Sequence, residues 1–403
     1  INVKLAGQDD ASARLSYTVQ DALGVYSEVD DTLIQSWDIA NAQIKLIELV
    51  APDFDPAEAS VEFEISMSDA TSNIMYMGNG HQQSVYSLGE VEVNAVALAP
   101  DEDVDMTLAF NMRGLSGEGR QTVNFNGTPD EILAELKSGG GLRGSSSMNG
   151  IELKVDGKVE GDVFDISFVS AASASEVNVD NGNASMNAAV NDIAFSVFIP
   201  AEIPLPLSGG IEKISYDIGI PLAAAPEVQQ MHFGMEYLGI RISDTIWAMF
   251  DPTGQLIREP VDMILDLSAG VRLDRDLIDP NLEQIIEEDP MQLGSIESFS
   301  LNELLISALG AVAKGSGDFT FDMNDLATFD GLPRPEGEAS LVVSGLNTVF
   351  DQLIEAGLLQ PDQLMPIRMG LGMGFIATGE DELTSELEVR SNGGVYVNGQ
   401  RMR

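Results

Sequence analysis

The sequence contains no cysteine and only two histidines, His81 and His232. Without cysteine the chain has no disulfide bond, no thiolate nucleophile and no sulfur-ligated zinc or iron–sulfur site. Two histidines exclude a three-histidine zinc site, and a Ser-His-Asp triad would have to use one of them. His81 lies in the turn-rich segment MGNGHQQS without an acidic residue spaced to orient it. His232 falls on the polar side of MHFGMEY, so we interpret both as non-catalytic.

Basic residues are also scarce. Twenty Lys and Arg stand against 65 Asp and Glu, which gives a formal net charge of −45. Such a charge repels phosphate groups, so we predict no nucleic-acid partner and disfavour anionic membrane surfaces. We interpret the charge mainly as a solubility feature of a protein in a salty or exported environment.

Long apolar runs are absent as well. No run reaches the roughly 18 residues that a membrane-spanning helix needs, so no transmembrane span is predicted. The chain begins at Ile1 rather than at a methionine, from which we expect that an upstream export signal has been removed. The predicted location is therefore periplasmic or otherwise exported.

What the sequence does contain is alternation of apolar and polar residues. In SVEFEISMSD the apolar residues Val61, Phe63, Ile65 and Met67 fall on one face of a strand. The same pattern recurs in DVDMTLAFNM, IELKVDG, DVFDISFVS, EKISYDIGI, MHFGMEYLG, DMILDLSAGVRLD and DFTFDMND. One apolar face per strand is typical of antiparallel sheets. We predict a mainly β fold with a large, curved, meander-like antiparallel sheet or sheets, and a few amphipathic helices packed on or capping it.

Helix signals are fewer. TPDEILAELK has Thr128 as N-cap, Pro129 at the first helical position and Glu131 completing a capping box, which predicts a helix over 129–137. The stripe Leu301, Leu304, Leu305, Ala308 and Val312 predicts another over 301–314. Further helices are predicted near 244–250, 347–356 and 361–376, and a final hairpin over 383–402.

The segment SGGGLRGSSSMNG is rich in glycine and serine and has no apolar periodicity. We therefore predict a linker over 139–150, between an N-terminal β-rich region (1–138) and a C-terminal one (151–403).

Two family resemblances enter through the second half of the chain. IWAMFDPTGQLIREP, GLPRPEGEASLVVSG and the ending VYVNGQRMR resemble an exported family of alphaproteobacteria, domain of unknown function 2125, over residues 210–403. The closing unit of helix, strands, helix and hairpin is also similar to the carboxy-terminal module of AsmA-like proteins. Those proteins are similar to bridge-like lipid-transfer proteins, whose long curled sheets carry acyl chains on a hydrophobic inner face. The second resemblance implies a lipid-handling function, and neither implies a catalytic residue.

Two segments are candidate ligand-binding regions. SDTIWAMFDPTGQLIREP carries Trp247 and Phe250, which suit a binding loop, although we favour a short helix from Ser243 that packs on the sheet. MPIRMGLGMGF places Met365, Met369 and Met373 at helical spacing before Phe375, which suits a pliable surface for an acyl chain but also an ordinary core. The acidic clusters APDFDP, PDEDVD and VDNGN offer oxygens for calcium but match no calcium-binding loop, so no metal or cofactor is predicted.

Three hypotheses follow. The first is a non-enzymatic exported protein that binds or carries a lipid or other hydrophobic ligand on an apolar sheet face. The second is a structural or interaction module of the cell envelope that acts by protein–protein assembly. The third is an enzyme that uses paired carboxylates alone. The motifs of P-loop, dinucleotide-binding, nucleophile-elbow and zinc-protease enzymes are absent, so an enzyme is not predicted.

Overall fold

The chain forms long β-strands because polar and apolar residues alternate along most of it. The computed structural model describes residues 2–4, 12–50, 55–279, 281–288 and 290–403. Strands account for 64% of the chain and five short helices for 13%, and the strands form one large antiparallel sheet. The predicted fold class is confirmed.

The strands are β1 (Asn2–Lys4), β2 (Ser12–Val29), β3 (Thr32–Val50), β4 (Ser60–Met77), β5 (Gln82–Ala99), β6 (Val104–Gln121), β7 (Gly141–Met148), β8 (Gly150–Val159), β9 (Asp162–Ser170), β10 (Ser173–Asp180), β11 (Asn183–Ile199), β12 (Ile203–Pro221), β13 (Gln229–Ile242), β14 (Val261–Leu273), β15 (Gly294–Ala308), β16 (Ala311–Asp322), β17 (Arg334–Ser344), β18 (Ile376–Gly379), β19 (Glu382–Val389), β20 (Val395–Val397) and β21 (Gln400–Arg401). The helices are α1 (Pro129–Lys137), α2 (Asp244–Phe250), α3 (Leu282–Glu288), α4 (Leu346–Glu355) and α5 (Pro361–Gly374), with 3₁₀ turns at Pro100–Glu102 and Pro290–Leu293.

The chain divides into two compact units, which are described separately. Unit 1 comprises Ile1–Asn124, Leu142–Glu176 and Ala189–Gly210, and unit 2 comprises Phe125–Gly141, Val177–Ala188 and Ile211–Arg403. The predicted division into 1–138 and 151–403 is therefore corrected, because segments on either side of the proposed boundary belong to the same unit.

Unit 1 is a succession of antiparallel neighbours. Strands β2 to β6 pair in chain order. Strand β6 then pairs with β8, β8 pairs with β9, and β9 pairs with β11. The C-terminal part of β6, Ser116–Gln121, pairs instead with β7. The predicted linker over 139–150 is wrong for this reason, since Gly141–Met148 form β7. Position 117 of β6, which pairs with β7, requires a glycine, because a Cβ there would lie 2.5 Å from the Tyr86 hydroxyl.

Unit 2 is also a succession of antiparallel neighbours. Strands β13 to β17 pair in chain order, and β17 pairs with β19. The outer side of β19 pairs with β18 and β20, and β20 pairs with β21. Strands β19 to β21 lie where the sequence predicts the closing hairpin, with Gly393 in a left-handed conformation at the turn.

The predicted helix over 301–314 is wrong, because these residues complete β15 and begin β16. A β-bulge explains the error. Leu301 pairs with Gly317 and Leu304 with Gly315, so three steps along β15 match two along β16. The extra residue puts Leu301 and Leu304 on the same face of the sheet at the spacing that is typical of a helix.

The helices that do form are fixed by local hydrogen bonds. In α1 the Thr128 hydroxyl accepts from the Glu131 N–H while the Glu131 carboxylate accepts from the Thr128 N–H, as the capping box predicts. In α4 the cap comes from a distant turn, since the Asp381 carboxylate accepts from the N–H groups of Asn347 and Thr348. These bonds satisfy donors that a helix N-terminus leaves unpaired.

One row of the polar side of unit 2 carries like charges on adjacent strands. Asp318 of β16 lies directly opposite Glu338 of β17, which lies opposite Glu388 of β19. Arg390 binds Glu388 at 2.7 Å, whereas Asp318 accepts a hydrogen bond from the Ser300 hydroxyl. Directly opposed carboxylates on neighbouring strands repel each other.

We expect Glu338→Gln to stabilise the protein by roughly 0.2–1 kcal/mol, because it removes this repulsion without changing the shape of the side chain. The gain should shrink as salt is raised, since exposed charges are screened. Chemical denaturation at two salt concentrations measures it. The matched control is Glu386→Gln, whose position faces Ser340 rather than an acid. An equal effect of both substitutions would contradict the explanation.

Candidate functional site

Directly paired residues of an antiparallel sheet project from the same face, so the strand registers define what each face presents. In unit 1 one row crosses eight strands, and every member is apolar. The row consists of Tyr17, Ile44, Ile65, Val93, Phe110, Leu153, Phe168 and Phe195. At the usual strand spacing it is about 34 Å wide.

Neighbouring rows on the same side are also apolar. One consists of Val19, Ala42, Met67, Val91, Met112 and Ile151, and another of Ala95, Leu108, Val155, Ile166 and Val197. We call these three rows the apolar face of unit 1. None of its positions carries a charge.

Unit 2 has a corresponding surface. One row consists of Phe233, Leu267, Leu301, Gly317, Ala339, Leu387 and Val397, and the next of Met235, Leu265, Leu304, Gly315 and Leu341. The rows on either side consist of Met231, Ala269, Phe299, Phe319, Gly337 and Val389, and of Tyr237, Met263, Ile306, Ala313, Val343 and Leu383. We call these four rows the apolar face of unit 2.

Both faces remain open to solvent to an unusual degree. Tyr17 is 56% exposed in unit 1, and Ile306 is 39% exposed in unit 2. The chain as a whole exposes 23487 Å², whereas a folded monomer of 43.1 kDa is expected to expose about 15,000 Å². Large exposed apolar patches of this kind mark binding surfaces or interfaces.

The opposite sides of the same strands are polar and acidic. In unit 1 the residues between the apolar positions include Glu62, Glu64, Glu92 and Glu152. In unit 2 they include Asp266, Asp318, Glu338 and His232. His232 lies 3.6 Å from Asp266 and 3.8 Å from Asp217, on the polar side where the alternation places it.

The sequence candidates Trp247 and Phe250 lie on α2 and form a local cluster. Their rings are 5.1 Å apart, and the Arg258 guanidinium lies 5.8 Å from the Trp247 ring centroid. Arg258 also binds Asp244 at 2.6 Å, so its charge is used within the segment. Helix α2 begins after Ser243 and ends before Asp251, as the sequence predicts.

Asp251 organises the turn after α2 and is fully buried. Its carboxylate accepts from the N–H groups of Gln255 and Leu256, both at 2.9 Å. Burial raises the pKa of this carboxyl group, but those two bonds and the nearby Arg258 outweigh it, so the pKa lies below its usual value. The sequence gives no sign that Asp251 is a buried charge, because the spacing of its partners Gln255 and Leu256 is that of an ordinary turn.

The candidates Met365, Met369 and Met373 lie together on α5, and their exposed fractions are 71%, 67% and 82%. They are therefore not part of a core. Pro366 lies inside this helix, and Phe375 follows it in extended conformation, partly buried. Among the described residues no hydrogen bond, ion pair or ring contact joins α5 to α2.

Two further sequence expectations concern metals and membranes. Among the described residues no group of three or more His, Asp or Glu side chains is placed to hold a metal ion. Residues 51–54 of the APDFDP cluster lie outside the described residues. No helix in the described ranges is both long and apolar enough to cross a bilayer.

Comparisons with protein-family models, with curated proteins and with solved structures find no match to this chain. The two family resemblances therefore stay predictions.

We expect Asp251→Asn to lower the melting temperature by several degrees at pH 7, because the two N–H groups bond different carboxylate oxygens and the amide replaces one of these oxygens with an NH₂ donor. The lowered pKa of the Asp251 carboxyl group in the folded protein determines how this difference in stability varies with pH. Stability from the carboxylate is present above the unfolded pKa of about 4 and is lost as pH falls through the lower folded value. Melting curves from pH 7 to pH 3 should thus show the gap between the two proteins narrowing below about pH 4. A constant gap would contradict the role of the charge.

Proposed function

We propose that this protein is a non-enzymatic binder or carrier of a lipid or another hydrophobic ligand, and that the acyl part of the ligand lies on the apolar sheet faces. The single observation that carries the proposal is the continuity of those faces, in which apolar residues occupy row after row without a charged residue. Covering such a surface is favourable by roughly 25 cal/mol per Å².

Partial exposure of these side chains supports the same proposal. Residues that face solvent on neighbouring strands already contact one another, so the rows are ordered before a ligand arrives. An acyl chain placed across them gains apolar contact without first separating two packed layers. We propose an exported, periplasmic location, for which the strongly acidic composition is suited.

Matched sets of valine substitutions on the two sides of the sheet test the proposal. Val91→Thr, Val93→Thr and Val343→Thr place hydroxyls on the apolar faces, while threonine retains the shape and the strand preference of valine. Val96→Thr, Val169→Thr and Val342→Thr make the same change on the opposite sides.

We expect the first triple variant to bind a fluorescent long-chain acyl probe about fivefold more weakly than the unchanged protein, because apolar contact is lost. The second triple variant should bind within about twofold of it. Circular dichroism and melting curves serve as the folding control. Equal loss in both variants, or no binding by the unchanged protein, would contradict the proposal.

Met369→Asp provides the test of the sequence-based site residues. A loss of probe binding in this variant, with none in the apolar-face variant, would place the ligand at α5 instead. Native mass spectrometry of protein purified without detergent, followed by lipid extraction, identifies any acyl species that co-purifies.

A second candidate function is an assembly module of the cell envelope. The observation that favours it is the exposure of Met365, Met369 and Met373 on one helix, since methionine adapts to varied partner surfaces. It predicts an envelope protein that is retained by the unchanged chain in a pull-down and lost with Met369→Asp.

A further inference from the structure

We propose that the ligands are acyl lipids with uncharged or zwitterionic head groups, and that the apolar faces discriminate against lipid anions. This inference rests on the proposed function and deepens it. It follows from the arrangement of charge around the faces.

The first step is the absence of a cation on either face. Every position of the apolar rows in unit 1 and unit 2 is occupied by an uncharged residue. A fatty-acid carboxylate or a phosphate is normally held by Arg or Lys in bidentate or point-charge contacts. An acyl chain lying on these rows has no such group beside it.

The second step is the proximity of carboxylates behind each face. Glu92 lies between Val91 and Val93, and Asp318 lies between Gly317 and Phe319. Alternate side chains project to opposite sides of one strand layer, so only the backbone separates these acids from the apolar surface. The distance from such a carboxylate to a ligand on the other side is therefore about 10 Å.

The third step is that several cations on the polar sides are paired with acids. Lys45 binds Glu64 at 3.0 Å, Lys154 binds Asp156 at 2.9 Å and Arg272 binds Glu297 at 3.3 Å. These pairs neutralise part of the positive charge on the polar sides, and the excess of acid over base gives the chain its net charge of −45.

The size of the effect follows from Coulomb's law. One carboxylate about 10 Å from a second anion in water weakens binding about twofold. Several together, partly screened at low salt, give roughly a five- to tenfold preference for the uncharged ligand. At high salt the Debye length falls below about 5 Å and the preference should largely disappear.

The experiment compares palmitate with monopalmitoylglycerol, which carry the same acyl chain, as competitors of one uncharged fluorescent probe. Titrations are done at pH 8, where the fatty acid is ionised, in low and high sodium chloride. We expect the glycerol ester to bind about five- to tenfold more tightly at low salt and within about twofold at high salt.

Two matched sets of charge variants distinguish the effect of carboxylates directly behind the faces from the effect of the net charge of the chain. Glu62→Gln, Glu92→Gln, Asp318→Asn and Glu338→Gln remove four charges directly behind the faces. Glu58→Gln, Glu102→Gln, Glu202→Gln and Glu380→Gln remove the same number from turns at the ends of strands. We expect the first set to reduce the ratio of affinities for monopalmitoylglycerol and palmitate at least about twofold. The second set should leave this ratio nearly unchanged.

The outcomes are distinguishable. Equal or tighter binding of palmitate, a preference that does not change with salt, or equal narrowing by both variants would overturn the inference and leave the proposed function intact. If neither ligand binds, the proposed function falls and this inference falls with it.

Discussion

The structure depends on the register of its antiparallel strands. Directly paired residues share a face, so the alternation within each strand becomes a property of the whole sheet only if neighbouring strands pair in phase. A slip of one residue between β5 and β6 would bring Val93 opposite Ala109 or Asn111, residues from the other side of β6, and interrupt the apolar row. Where the spacing of apolar residues departs from two, as at Leu301 and Leu304, a bulge restores the phase. Register thus links the alternation in the sequence to the two apolar faces.

The energetic consequence is that much of the apolar surface is ordered without being buried. Only nine hydrophobic side chains in the described ranges are buried, among them Val123, Leu136 and Phe350. Stability must come largely from hydrogen-bonded ladders and from contacts between adjacent side chains of a row, each of which contributes a modest amount. A ligand that covers the faces therefore stabilises the fold it binds to, because it interacts with the folded state alone.

The sequence predicted the features that depend on neighbouring residues in the chain. Alternation located the strands, and the capping box located α1. It failed where partners are distant in sequence. The bulge that makes 301–314 look helical is set by pairing with β16, and β7 is a strand because β6 offers it an edge. The cap that Asp381 supplies to α4 joins residues more than thirty positions apart. The alignment of the apolar positions into rows could not be predicted either, since it requires the register of every strand pair.

The acidic side of the sheet repels other copies of the chain and anions, whereas the apolar side favours contact with hydrophobic molecules. Two copies that stack through their apolar faces must bring together two chains of charge −45, and their repulsion grows with the product of the charges. A small uncharged ligand meets no such barrier, and a small anion meets one in proportion to its own charge. The charge therefore opposes association between copies while it leaves the apolar faces accessible to a small hydrophobic molecule. The same acidic residues therefore act in two ways: they repel further copies of the chain, and under the proposed function they disfavour anionic ligands on the opposite side of the sheet.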